Sequence, residues 1–354
     1  MKEKSGIIIT GGIIGLFAVL LVYFGNPANM GFCVACFIRD TAGALGLHRA
    51  EVVQYIRPEI IGLVLGSFIL SSMNKEFSSR GGSSPVTRFV LSIVVMIGAL
   101  VFLGCPLRMI LRIAGGDFNA IVGLAGFISG ICVGIFFLNK GFNLKRSYKL
   151  TNLEGYLFPA INVGLLALLI IAPAFLFFSK SGPGAASAPI WISLAAGLIV
   201  GALAQKSRLC TAGATRDLIL FRDNYLMLGF LSILAAALVG NLVLGKFNPG
   251  FAEQPIAHTD GLWNFLGMAL AGWGSVLLGG CPFRQMILAG EGNTDSAVCA
   301  IGLLVGAAIS HNFGLASSAK GVTPNGQIAV GICFLILLAI SWANSEFLSK
   351  NAQS

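Results

Sequence analysis

The chain has 354 residues, of which 56% are hydrophobic and only 10% charged, and its mean hydropathy is +0.87. A soluble domain carries about 25% charged residues, so this composition excludes an ordinary soluble globular protein and describes an integral membrane protein with room for about ten spans. The net charge of +9 lies mostly in short loops, where it is a signal of orientation and not a nucleic-acid patch.

A span needs about 20 mainly apolar residues. After a basic start at Lys2 and Lys4, the first such run is 6–25. It lacks a convincing small-residue cleavage site, so it reads as a retained span and not a removed signal. Further runs lie at 57–73, 88–104, 118–138 and 155–178. A Gly/Ser/Pro-rich linker at 179–187 follows. The second set of runs is 188–205, 225–245, 261–279, 295–314 and 326–347. No polar stretch exceeds about twenty residues, so no separate soluble domain is expected.

Two short motifs occur twice, in the same order and at nearly the same spacing. Gly104-Cys105-Pro106-Leu107-Arg108 recurs as Gly280-Cys281-Pro282-Phe283-Arg284. The block from Cys33 to Arg39-Asp40 recurs from Cys210 to Arg216-Asp217. The expected fold is therefore an all-α polytopic membrane protein built as a duplication. The first repeat is 1–180, with motifs at Cys33 and Cys105. The second is 181–354, with motifs at Cys210 and Cys281. Five spans per repeat is an odd number, so the second half is expected upside down relative to the first. That is the inverted-repeat plan in which discontinuous helices meet near the bilayer midplane.

Proline is tolerated at the first position of a helix, where its missing N–H costs nothing. Gly-Cys-Pro-x-Arg thus puts Cys105 and Cys281 at N-caps and Arg108 and Arg284 in the first turn. The helices that follow, Leu107–Ala114 and Phe283–Ala289, end at glycines and are too short to span. With the two Cys…Arg-Asp blocks, four short re-entrant half-helices are expected. A helix N-terminus presents free N–H groups and partial positive charge, which suits an anion and makes a thiol there more nucleophilic.

Arginine in hydrocarbon is costly, by at least about 2.5–3.5 kcal/mol. Arg39 and Arg216 each precede an aspartate and are expected to pair locally. Arg108 and Arg284 have no adjacent acid, and their planar fork of donors suits an oxyanion. Asp117 and Glu291 follow the half-helices and are the alternative partners. Cys33, Cys105, Cys210, Cys281, Arg108, Arg284, Arg39 and Arg216 are the expected substrate-binding residues. Cys36, Cys132, Cys299 and Cys333 lack mates in the opposite half and read as small buried apolar residues. Cys33-x-x-Cys36 has the spacing of a redox pair, although Gly213 stands where its mate would carry the second cysteine. His48, His258 and His311 lack metal-ligand spacing. Asn139, Asn241 and Asn312 read as helix caps or bridges. There is no nucleotide-binding loop and no Ser/His/Asp set, so no metal, no cofactor and no enzymatic hydrolysis is expected.

At these residues the chain resembles the YeeE/YedE sulphur-transport membrane family. The resemblance rests on Arg208-Leu209-Cys210-Thr211-Ala212-Gly213-Ala214-Thr215-Arg216-Asp217, on Gly279-Gly280-Cys281 with Ala289-Gly290-Glu291-Gly292, and on the first-half counterparts at Cys33 and Cys105. It implies a permease for small sulfur compounds such as thiosulfate, with thiols handing the substrate along, Cys33, Cys105 and Cys281 lining the path and Cys210 as the fourth symmetric member. Cys-Pro-x-Arg, in place of small residues and glycine after the cysteine, resembles the YedE-related branch linked to selenium metabolism. The expected cargo is a small sulfur- or selenium-containing anion. A membrane thiol oxidoreductase or sulfurtransferase, a generic small-molecule channel, and an anchor for a cytosolic sulfur- or selenium-handling protein are the alternatives.

Orientation follows from the loops. Lys2, Lys4, Lys75, Arg80, Arg88, Lys140, Lys145, Arg146 and Lys149 fall on one side, against Lys180, Lys246 and Lys320 on the other. The positive-inside rule then places both termini in the cytoplasm, in a bacterial inner membrane.

Overall fold

The computed structural model describes residues 2–346. The expected end of the last span at 347 and the C-terminal tail lie outside the described residues. Ten helices correspond to the ten apolar runs: α1 (Lys2–Tyr23), α3 (Pro58–Met73), α4 (Pro85–Phe102), α6 (Phe118–Asn139), α7 (Asn152–Ile171), α8 (Ile190–Ser207), α10 (Tyr225–Val243), α11 (Gly261–Leu278), α13 (Thr294–Asn312) and α14 (Pro324–Ala343). Four short helices lie between them: α2 (Val34–Ala44), α5 (Pro106–Ala114), α9 (Thr211–Phe221) and α12 (Pro282–Gly290). Two strands of two residues each, β1 (Arg80–Gly81) and β2 (Tyr148–Lys149), pair antiparallel outside the bundle. This is an all-α, multi-pass membrane protein.

Among the described residues, nine stretches are long and apolar enough to cross a membrane. Three of these are a span run together with the short helix after it: Pro85–Ala114, Ile190–Phe221 and Gly261–Gly290. The tenth span, α3, has 16 residues and a length of about 24 Å at 1.5 Å per residue. One boundary differs from expectation. The run 155–178 gives a helix only to Ile171, because Ala172 turns into the left-handed region (φ 45°) ahead of Pro173. The residue before a proline is pushed out of the helical region. The connection between the halves therefore begins at 172.

The loops sort to two ends of the bundle. At one end Arg80 pairs with Lys149 and its N–H bonds to Gly292 O, Asn143 N–H bonds to Asn344 O, and Gln205 Nε2 donates to Glu76. At the other end Phe118 N–H bonds to Gly250 O, Ser179 N–H to Gln54 O, and Asn312 Nδ2 donates to Leu47 O. Lys75, Arg80, Lys140, Lys145, Arg146 and Lys149 all belong to the first end.

Helix pairing repeats between the halves. α1 packs on α10 as α8 packs on α3, α6 packs on α11 as α13 packs on α4, and α4 and α11 pack on each other at the centre. α5 meets α10 as α12 meets α3, and α2 meets α13 as α9 meets α6. The last span of each half breaks the pattern: α7 lies on α3, α12 and α13, whereas α14 lies on α11 and α4.

Lipid gives helices no hydrophobic reason to associate, so close backbone approach at small residues holds such interfaces. On α6, Gly126 and Gly130 sit against the Phe265 and Ala269 carbonyls of α11, where an added Cβ would collide. On α13, Gly302 and Gly306 sit likewise against Phe89, Ser92, Ile93 and Met96 of α4. Because Ala269 O leaves no room for a side chain, Gly130→Leu is expected to destabilise the bundle by about 1–3 kcal/mol or more. Thermal unfolding in detergent measures this, with Gly331→Leu as the control at a position that has open space beyond Cα.

Candidate functional site

The four motif cysteines are the N-caps of the four short helices: Cys33 of α2, Cys105 of α5, Cys210 of α9 and Cys281 of α12. Local chemistry explains why helices start there. Pro106 and Pro282 occupy the first helical positions after Cys105 and Cys281. Cys33 Sγ accepts the N–H of Cys36 and Cys210 Sγ that of Gly213, each at 3.3 Å.

The caps meet in two clusters, one per half. In the first, Cys33 Sγ lies 2.6 Å from Cys36 Sγ, and the Cys105 thiol stands beside them. In the second, Cys210 Sγ lies 3.8 Å from Cys281 Sγ, accepts the Cys281 N–H at 3.5 Å, and has the Thr211 hydroxyl beside the pair. Cys33, Cys36, Cys105 and Cys281 are 0% exposed and Cys210 is 6% exposed. Both clusters are therefore closed off from solvent in this conformation. α2 packs on α12 and α5 on α9, which ties the two clusters to one another through the helices they cap.

The four arginines expected at the site stand in different electrostatic positions. Arg39 is bonded to Asp40 (2.7 and 2.9 Å), whose second oxygen takes Arg57 at 2.9 Å. Arg57 also donates to the Pro183 and Ala186 carbonyls, tying α3 to the inter-half connection. Arg216 pairs with Asp217 at 2.7 Å and is partly exposed. Arg284 pairs with Glu291 at 3.3 Å. Arg108 is fully buried and, among the described residues, is bonded to no carboxylate. The acid expected as its alternative partner, Asp117, pairs instead with Arg112 at 2.6 Å while capping α6 through the Asn119 N–H.

Arg108 is held by backbone. Nε–H donates to Asn29 O (3.3 Å), Nη1 to Leu103 O and at 3.9 Å to Cys36 Sγ, and Nη2 to Pro255 O (3.4 Å) and Ile256 O (3.2 Å). Asn29 (φ 56°), Leu103 (φ 63°) and Ile256 (φ 52°) all sit in the left-handed region. A β-branched residue there is a conformational outlier, and such strain collects where surrounding structure over-determines it, typically at functional positions. Carbonyls of three left-handed residues, Ile256 among them the β-branched outlier, thus converge on one guanidinium. The loop carrying Pro255 and Ile256 is pinned by His258, whose Nε2 lies 2.8 Å from Val101 O and whose Nδ1 accepts the Asp260 N–H. Burial lowers the affinity of His258 for a proton, which keeps that imidazole neutral and able to make both bonds.

The donor fork of Arg108 is consequently occupied, contrary to the expectation that it faces an oxyanion directly. Its charge is not offset. Carbonyl dipoles solvate a cation without cancelling its monopole, and at low dielectric an unbalanced charge attracts an anion strongly. That charge reaches the thiols through Cys36. The geometry brings together Cys33, Cys105 and Arg108 on one side and Cys210 with Cys281 on the other, and leaves Arg39, Arg216 and Arg284 in local ion pairs. Two contributors stood outside the expected set: Thr211 and Cys36. The Cys-x-x-Cys spacing was the signal for Cys36. Cys299 and Cys333 are buried as expected, whereas Cys132 is exposed.

These features define a class: a multi-pass membrane protein whose short helices point thiol-capped N-termini into an apolar interior. The comparisons agree. Residues 206–345 match the family described as Sulphur transport. Over 112 residues the chain is 31% identical to the thiosulfate transporter TsuA of Spirochaeta thermophila, a match covering 32% of this chain and 33% of that protein. The matched region is thus about a third of the length of that relative.

The ion-pair pattern yields a stability test. Breaking a buried pair by removing one partner costs roughly 3–5 kcal/mol, whereas an unpaired buried charge contributes no such bond to lose. Asp117→Asn is therefore expected to lower the unfolding temperature sharply in detergent. Arg108→Met breaks no ion pair but strands the carbonyls of Asn29, Leu103, Pro255 and Ile256, and is expected to lower it by less than Asp117→Asn does.

Proposed function

We propose that the protein is an inner-membrane permease for a small sulfur- or selenium-containing anion of the thiosulfate type. The observation that carries this reading is Arg108, a fully buried guanidinium without a carboxylate, placed 3.9 Å from the sulfur of Cys36. A cation with no resident counter-ion in a membrane interior is an expensive feature, and an anionic cargo supplies the missing charge. The similarity to a thiosulfate transporter over part of the chain supports a sulfur anion. Cys-Pro-x-Arg at both half-helices is the feature that favours a selenium analogue.

In this reading the cargo enters at the Cys33–Cys36–Cys105 cluster and passes to Cys281 and Cys210. Protonated thiols act as weak S–H donors and polarisable contacts, while the N-termini of α2, α5, α9 and α12 supply partial positive charge along the way. Arg108 attracts the anion electrostatically, and it does so without seizing it, because its N–H groups are already used by carbonyls. Release on the far side is eased by the second cluster, where Glu291 neutralises Arg284. Two inverted five-span repeats, 1–180 and 181–354, would place the two clusters on opposite sides of the midplane. The exchange of helix pairings between the halves supports that plan. The grouping of basic loops at one end supports cytoplasmic termini. The same basic loop, 139–154, is the surface on which a cytosolic sulfur- or selenium-handling protein would dock.

Uptake of labelled thiosulfate and selenite by cells, and by proteoliposomes holding the full chain, tests this function. Arg108→Gln removes the buried charge that attracts the anion and is expected to lower uptake about tenfold or more, which corresponds to about 1.4 kcal/mol or more. Cys105→Ala and Cys281→Ala are each expected to reduce it, while Cys299→Ala does not. Wild-type rates in both Cys105→Ala and Cys281→Ala would refute transport through the thiols.

A further inference from the structure

The two clusters differ in one respect that transport does not require. The first contains a dithiol, Cys33 and Cys36, while the second has Gly213 at the position matching Cys36. The two sulfurs lie 2.6 Å apart, against about 2.05 Å for a disulfide bond. They sit at the first turn of α2, with the Cys33 S–H directed at Cys36 Sγ and the Cys36 N–H directed back at Cys33 Sγ. Cys-x-x-Cys at a helix N-terminus is an arrangement that favours thiolate chemistry. The Arg108 guanidinium at Cys36 Sγ favours negative charge on that sulfur whenever no anionic cargo is present. By contrast Cys210 and Cys281 belong to different helices and are 3.8 Å apart.

We propose that Cys33 and Cys36 form a redox lock on the transport path, closed by a polythionate, the sulfur–sulfur-bonded dimer of a thiosulfate-type anion. The proposal rests on the reading of this cluster as an anion site. A polythionate carries the same terminal groups as the cargo and is drawn to the same charge. With tetrathionate the steps balance. The Cys36 thiolate attacks a central sulfur, forms a sulfur–sulfur bond to it, and displaces one thiosulfate. Cys33 then loses its proton and attacks Cys36 Sγ, forming the disulfide and displacing a second thiosulfate. In sum two thiols and one tetrathionate give one disulfide, two thiosulfates and two protons. The thiols are oxidised and the central sulfur–sulfur bond of tetrathionate is reduced.

The disulfide closes the path for two reasons. It consumes the Cys33 S–H, the donor of the first cluster. It also removes from Cys36 the proton or negative charge through which Arg108 acts on the cluster. A small dithiol reverses the reaction by thiol–disulfide exchange. The cell thus receives a path that shuts when its surroundings hold the oxidised dimer in place of the monomeric cargo.

The test uses the full chain, reduced and purified, with tetrathionate as the probe. Free thiols, thiosulfate released and disulfide position are read chemically and by peptide mass mapping. Uptake into proteoliposomes is read in parallel before and after oxidation. Loss of two of the eight thiols, release of two thiosulfates per chain, a Cys33–Cys36 linkage, and a fall of uptake to background that dithiothreitol restores are the expected results. In Cys36→Ser, whatever its own rate, the ratio of uptake before and after tetrathionate is expected to be one. Absence of the linkage, or full uptake with the linkage formed, overturns the lock. The thiol count does not depend on transport, so reduced protein that forms the disulfide yet carries no sulfur anion would instead overturn the proposed function.

Discussion

The burial of Arg108 is the constraint on which the rest of the site depends. A guanidinium in a membrane interior must be solvated by something. Here the protein uses backbone: carbonyls of Asn29, Leu103, Pro255 and Ile256 surround it, and three of those residues adopt left-handed backbone to point inward. Such irregular backbone is tolerated at membrane depth only where protein encloses it. The broken connection between α4 and α5, the dip of the chain before Cys33, and the pinned loop before α11 all serve that enclosure. Arg108 is a cation made soluble in the bundle and left electrically unpaired.

The comparison of the two halves gives this asymmetry its meaning. Arg108 and Arg284 occupy matching places in the two Gly-Cys-Pro-x-Arg motifs, yet Arg284 has Glu291 and Arg108 has no acid. In the first half Asp117 is committed to Arg112, whose guanidinium also lies 4.2 Å from the Phe102 ring. In the proposed path, one charged and one neutralised cluster would act as a strong and a weak site in series. The lone dithiol follows the same division, since it lies on the charged side. α7 and α14, the spans that break the pairing pattern, cover different neighbours, so the two sides are not bound to identical surroundings.

Much of this was legible in the chain. Apolar run lengths located the ten spans because in lipid a helix must satisfy its own backbone over a fixed thickness. Cys105 and Cys281 were placed at N-caps because proline at the next position allows little else. What could not be read is long-range. Nothing local to Arg108 indicates that its partners are 147 and 148 residues away, at Pro255 and Ile256. Nor does spacing show that Asp117 selects Arg112 over Arg108. Cys36 was set aside because its mate in the second half is Gly213; repeat symmetry finds what the halves share and discounts what only one of them uses. The early stop of α7 at Ile171 was visible in Pro173, but the apolar run continues past it and conceals the break.

The most direct test of the account is to locate the bound anion. Crystals of the reduced protein soaked with selenosulfate, a selenium-bearing analogue of thiosulfate, and measured at the selenium absorption edge would show where the cargo's heavy atom rests. The account predicts an anomalous peak at the Cys33–Cys36–Cys105 cluster on the Arg108 side, lost in Arg108→Gln. A peak at the Arg284–Glu291 pair with none at the first cluster, or an unchanged peak in Arg108→Gln, would contradict it.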